Sequence, residues 1–152
     1  MIRLSHIHPL VLIFAGTLLF LSACSSGHDH ESPLGFRLSV GNEPLLVQDE
    51  GVVTYLQTDN ALEVSSGGNL GPVILEFISE EGNYYTPDPD KYSLRFTVAD
   101  TPLLAVDYPF NNDNWTFRLR GLQTGSTSFQ IDLWHGSHAD FTSRPLTVDI
   151  IE

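Results

Sequence analysis

The chain has 152 residues, with 19 acidic against 7 basic side chains, six histidines and a single cysteine. That length allows one domain with a packed core, and 9 Phe, 5 Tyr and 2 Trp within a 41% hydrophobic composition supply the apolar volume that a disordered chain lacks. The net charge of −12 argues against a nucleic-acid partner, which is held by clustered Lys and Arg, and one cysteine allows neither an internal disulfide nor a Cys-rich metal site.

In chain order, residues 1–9 carry Arg3 and no acid, and residues 10–21 are an apolar run closed by small polar residues. These have the lengths of the charged and apolar parts of a signal peptide, and the run is shorter than the roughly 20 apolar residues a membrane span needs. The next segment, Leu21-Ser22-Ala23-Cys24, resembles the bacterial lipobox. The resemblance implies cleavage between Ala23 and Cys24, so that residues 1–23 leave as a lipoprotein signal peptide. It also implies a diacylglyceryl group on the Cys24 thiol and an acyl chain, such as palmitate, on the new amino terminus. Two or three chains anchor where one does not, since each buried methylene contributes about 0.8 kcal/mol. Ser25 stands where an Asp commonly retains lipoproteins in the inner membrane, which points to the outer membrane, facing the periplasm or the cell surface. Residues 24–35 are small and polar and read as the lipidated cysteine with a flexible tether, whose mean reach is roughly 18 Å. Without residues 1–23, which contain Arg3 as their only charge, 6 basic and 19 acidic side chains leave a formal charge of −13. Such a domain is repelled by anionic headgroups and is held by its lipid.

From residue 36 onward the pattern alternates with period two. Phe36, Leu38 and Val40 are followed by strands at 45–47, 52–57, 62–64 and 72–79. Tyr92, Leu94, Phe96 and Val98 alternate with Ser93, Arg95 and Thr97, and the same holds for Trp115, Phe117 and Leu119, for Phe129, Ile131 and Leu133, and for Leu146, Val148 and Ile150. Turn clusters such as Gly41-Asn-Glu-Pro44 and Ser65-Ser-Gly-Gly-Asn69 separate them, and no window keeps a helical period. Residues 36–152 are therefore expected to form one all-β, antiparallel sandwich domain.

The segments Leu103-Leu-Ala-Val-Asp107, Trp115-Thr-Phe-Arg-Leu-Arg-Gly121, Leu122-Gln-Thr-Gly125 and Ser126-Thr-Ser-Phe-Gln-Ile131, with the closing Pro145-Leu-Thr-Val-Asp-Ile150, resemble a bacterial immunoglobulin-like domain of group 2, the invasin and intimin kind. The resemblance covers about residues 62–151 and implies an immunoglobulin-like sandwich. Leu94-Arg-Phe96 replaces the usual central-strand tryptophan, and residues 36–58 add strands that the small family domain lacks.

Chemistry concentrates in Leu133-Trp-His-Gly-Ser-His-Ala-Asp-Phe141. Between two expected strands, His135, His138 and Asp140 are expected on one hairpin loop, where two imidazoles and a carboxylate suit Zn²⁺ or Cu²⁺. Trp134 would flank the site and Asp132 would accept a hydrogen bond from a ligand. His28 and His30 in the tether form a second His-Asp-His cluster, an accessory metal site. Glu80, Glu81, Asp88 and Asp90 make an oxygen-rich loop of the type that holds Ca²⁺. Tyr84, Tyr85, Tyr92, Tyr108 and Trp134 are candidates for an aromatic patch for glycan or peptide.

No nucleophile elbow, H-E-x-x-H helix or phosphate loop is present, and the only thiol is taken by lipid, so no enzyme is expected. The leading expectation is a lipid-anchored, non-enzymatic binding or structural module of the bacterial cell envelope. It would attach to the membrane through Cys24 and dock an envelope protein or surface ligand. A periplasmic lipoprotein binding a divalent transition metal is the alternative, and a glycan-binding module a third. The anchor is tested by in-gel fluorescence after growth with a clickable fatty acid: the unaltered chain should be labelled, and Cys24→Ala should lose the label entirely.

Overall fold

The structure is a computed structural model that describes residues 32–152; residues 1–31, including Cys24, His28 and His30, lie outside the described residues. Period-two alternation gives each strand one apolar face, and such a face is stable only against a second apolar layer. The chain forms β1 (Gly35–Val40), β2 (Glu43–Asp49), β3 (Val52–Tyr55), β4 (Leu62–Ser65), β5 (Asn69–Ile78) and β6 (Tyr84–Tyr85). There follow β7 (Tyr92–Val98), β8 (Leu104–Asp107), β9 (Thr116–Gly121), β10 (Gly125–His135), β11 (His138–Thr142) and β12 (Leu146–Ile151), with no helix among the described residues.

One sheet runs β3-β2-β1-β5-β9-β8, with β6 pairing the end of β5. The other is built on β10, which pairs β7 along one edge and, along the opposite edge, β12 with its first half and β11 with its second. β4 lies parallel to β12, and every other strand pair is antiparallel. The all-β, largely antiparallel sandwich expected from the alternation is the fold that forms.

The core joins the inward faces of both sheets. Phe36, Leu38, Leu46, Leu75, Phe77, Phe117 and Leu119 of the first meet Leu94, Phe129, Ile131, Leu133, Leu146 and Val148 of the second. Edge-on aromatic contacts lock the layers, with Phe117 6.2 Å from Phe129 and Phe77 5.8 Å from Phe141 between ring centroids. The Gly121–Gly125 corner carries the chain from one sheet to the other. A side chain at Gly121 is forbidden by the Ser65 carbonyl, which would lie 2.5 Å from its Cβ.

Where ladders run out, side chains complete them. β11 and β12 follow one another along the same edge of β10, and the gap between them is bridged by buried Ser143. Its Oγ accepts the Ile131 amide at 2.8 Å and donates to the Arg144 carbonyl at 2.9 Å. Gln48, only 3% exposed on an otherwise apolar face, accepts the Arg144 amide on Oε1 at 2.7 Å, and the Tyr55 hydroxyl accepts the Thr147 amide at 2.7 Å. Both bonds cross from the first sheet to the second. On the far edge of β7, the Tyr108 hydroxyl accepts the Leu94 amide at 3.0 Å and donates to the Asn114 carbonyl at 3.3 Å, and burial raises its pKa.

On the outer face of the first sheet, Arg118 donates to Asp107 Oδ2 through Nε at 3.0 Å and Nη2 at 2.6 Å, while Arg120 Nε reaches Oδ1 at 3.0 Å. The Arg118 bonds, with help from Arg120, hold the Asp107 carboxyl below its ordinary range against a smaller opposing effect of burial.

Two measurements test these joints. Ser143→Ala leaves the Ile131 amide buried without its acceptor and should lower stability in urea titration by about 1–3 kcal/mol. A depressed folded pKa contributes stability above the unfolded carboxylate value of about 3.9, lost as pH falls through the folded value. Asp107→Asn should therefore lower stability in urea titration at pH 7, by at most about 1 kcal/mol for so accessible a pair, and the difference from the unaltered protein should vanish as pH falls below the folded carboxyl's own value.

Candidate metal centre

β10 delivers His135 to the end of the sandwich because its inward positions, Phe129, Ile131 and Leu133, continue in step to residue 135. There the chain reverses through Gly136 and Ser137. Gly136 has φ +56°, so it occupies the first position of a two-residue turn that a side chain would strain, and His135 and His138 become directly opposed partners.

Asp140 arrives by a different device. Leu133 pairs with Phe141 and Trp134 with Ala139, which leaves Asp140 as the extra residue of a β-bulge. Residue 140 shares the face of residue 138, two positions back, so its carboxylate lies against the imidazoles, and the bulge lets Phe141 follow it inward opposite Leu133. Asp140 Oδ1 lies 2.8 Å from His138 Nε2 and Oδ2 lies 3.4 Å from His135 Nδ1. The Asp140 side chain is 3% exposed, that of His135 is 23% and that of His138 is 54%, so the centre has a buried acidic floor and an open histidine rim. One donor atom from each residue lies within 4.8 Å of the others. In a tetrahedral zinc site, donors about 2.0–2.1 Å from the ion sit roughly 3.3 Å apart. The two carboxylate contacts, 2.8 and 3.4 Å, already bracket that value.

The sequence-level expectation that these three residues converge holds in the structure. They are not carried by a loop, however: His135 and His138 end paired strands and Asp140 sits within β11. Tyr92, on β7, adds a wall that sequence reasoning did not assign to this site. It pairs with His135 in register, is buried, and stacks its ring 4.7 Å from the His135 ring. The alternation running back from Phe96 and Leu94 marks Tyr92 as inward, but only the β7–β10 register brings it to His135.

Other expected partners lie elsewhere. Asp132 accepts a hydrogen bond from the Thr142 hydroxyl at 2.7 Å, not one from a histidine, because its place in β10 faces outward. Trp134 also faces outward, with Arg95 3.5 Å above its ring and its indole nitrogen donating to the Gly136 carbonyl at 3.1 Å, so it braces the turn from outside.

Glu80, Glu81, Asp88 and Asp90, the expected calcium ligands, are not brought together as a group of three or more donors among the described residues. Glu81 instead accepts the Ser79 hydroxyl at 2.8 Å, which lowers its pKa, and Asp88 caps its own turn through the Asp90 amide at 3.1 Å. The aromatic patch is likewise dispersed: Tyr84 stacks under Arg37 at 3.9 Å, Tyr85 packs on Phe77, Tyr92 is buried, and Tyr108 packs on Phe96. The accessory pair His28 and His30 lies outside the described residues.

No family model and no curated protein matches the chain. Among solved structures it is similar to domains 4 and 5 of the S-layer protein SbsC, at 15% sequence identity and a TM-score of 0.44, over 70% of this chain and 64% of that one.

Proposed function

We propose that the protein is a lipid-anchored, non-enzymatic module of the bacterial cell envelope that captures a divalent transition-metal ion, Zn²⁺ or Cu²⁺, on its β10–β11 hairpin. The observation that carries this reading is the convergence of His135, His138 and Asp140, delivered by two paired strand ends and a bulge. Two imidazole nitrogens and one carboxylate oxygen are a borderline donor set suited to Zn²⁺, Cu²⁺ and Ni²⁺, and poorly suited to the oxygen-seeking Ca²⁺ and Mg²⁺. The acidic surface favours cation approach. Anchoring follows from the resemblance of Leu21-Ser22-Ala23-Cys24 to a lipobox. A docking or glycan module has no comparable cluster in its favour, since the aromatic side chains such a surface needs are spread over both sheets.

Calorimetric titration of the mature chain, made soluble by Cys24→Ser, should show one Zn²⁺ bound with about micromolar affinity or tighter. His135→Ala/His138→Ala should abolish that binding, and an excess of Ca²⁺ should not compete. Heat release that is unchanged by the double substitution overturns the proposal.

A further inference from the structure

The outer face of the first sheet carries a recess away from the hairpin. β1 starts beside the hairpin, where the Phe36 and Phe141 rings lie 6.0 Å apart, and ends in the Gly41-Asn42 turn at the other end of the sandwich. Leu38 faces the core, so Ser39 after it faces outward, across from Pro44 on β2 and Ile74 on β5. The next pair along that face is Arg37 with Glu76. A short side chain ringed by longer ones leaves a hollow of about 340 Å³, within the size range of small-ligand sites.

The groups lining it are enclosed, fixed and incompletely used. Ser39 is only 7% exposed, and its hydroxyl has no hydrogen-bond partner among the described residues. Enclosed hydroxyls are almost always bonded, so this one takes its partner from whatever enters the hollow. Arg37 bonds Glu76 and stacks 3.9 Å from the Tyr84 ring centre, which fixes guanidinium and carboxylate before anything binds. Both side chains stay 30% exposed, so each keeps bonding capacity toward the hollow. Asn42 sets an exposed amide on the rim, and Pro44 with Ile74 adds apolar wall.

Charge decides the class of ligand. Arg37 and Glu76 neutralise each other, so the hollow offers no net charge to an ion, and an anion also meets a strongly negative domain. What remains is a ring of interspersed donors and acceptors beside an apolar wall. Sugar hydroxyls donate and accept at adjacent carbons, and the C–H face of the ring is apolar, so a sugar complements both. We infer that this hollow is a second ligand site, which takes one neutral sugar ring. Its hydroxyls bond Ser39, donate to Glu76 and accept from Arg37, Asn42 closes the rim, and its carbon face lies on Pro44 and Ile74. The site holds one ring by hydrogen bonds, without the aromatic platform that a longer glycan surface needs. The turn side is open, since a Cβ at Gly41 would meet nothing within 4 Å, so it admits a single sugar or the end of a glycan chain.

The test is an amide-resolved NMR titration of the mature Cys24→Ser chain with glucose, galactose, mannose and N-acetylglucosamine, and with glucuronate as the charged counterpart of glucose. At least one neutral sugar should bind saturably and shift the amides of Ser39, Gly41, Asn42 and Ile74, and glucuronate should bind more weakly than glucose. Ser39→Ala and Asn42→Ala, with urea midpoints showing both variants folded, should each weaken the sugar about 3- to 10-fold, the loss of one hydrogen bond. Tighter binding of a disaccharide than of its monosaccharide assigns the site to a glycan end, and equal binding assigns it to the single sugar. No saturable shift at these amides with any of the neutral sugars, or affinity unchanged in both variants, overturns the inference. Sugar binding should persist in His135→Ala/His138→Ala, so that failure of this site and failure of the metal centre are told apart. Its loss there puts the ligand on the hairpin and overturns the hollow as its site.

Discussion

The bond from the Ile131 amide to the Ser143 hydroxyl is the point on which the second sheet depends. β10 has two partners on one edge, and they require different registers: Phe129 pairs with Leu146, while Asp132 pairs with Thr142. A continuous strand could not serve both, so the chain leaves the ladder between β11 and β12, which would orphan a buried amide at the centre of the domain. Ser143 repairs that fault with a group small enough to be fully enclosed. Gln48 and Tyr55 then take the Arg144 and Thr147 amides from the opposite sheet. The break in β-pairing thus becomes the place where the two layers are hydrogen-bonded to each other, beyond non-directional apolar packing.

That arrangement also makes the hairpin rigid. β11 is held by β10 on one side and by Phe141 below, whose ring packs edge-on against both Phe36 and Phe77. A ligand on a strand so fixed is better positioned than one on a loop, because its rotamer is set by packing and not by a local turn. The bulge at Asp140 gains its value from this setting. Alternation alone places residue 140 on the face of residue 138, and the single extra residue lets Phe141, the next in the chain, take the inward position opposite Leu133.

Most of the fold was legible in the sequence, since the inward positions of β1, β5, β7, β9, β10 and β12 are large and apolar and their neighbours are not. What stayed hidden follows the same logic. β11 carries Phe141 as its one large apolar side chain, so His138–Thr142 has no alternation to read and looks like loop. The first half of β10, Gly125-Ser-Thr-Ser128, is small and polar for the same reason, and strand order, with β4 parallel to β12, leaves no mark in any local pattern. The three candidate ligand residues were recognisable by type and spacing, but the strand pairing that sets His135 against His138 is not encoded by any residue alone. In the oxygen-rich loop, turn-forming carboxylates look the same in sequence as ligating ones, and here Asp88 and Glu81 accept from backbone and hydroxyl donors nearby.

The distribution of charge separates the two kinds of acidic residue in this domain. Asp107 lies on an outer face between two arginines, and its carboxylate is balanced by side chains that solvent also reaches. Asp140 lies on the inner side of the hairpin end, nearly fully enclosed, with the His138 and His135 imidazoles 2.8 and 3.4 Å from its carboxylate oxygens. On the metal-binding reading proposed above, an ion held by Asp140 and the two imidazoles would stabilise the folded domain by binding it in preference to the unfolded chain.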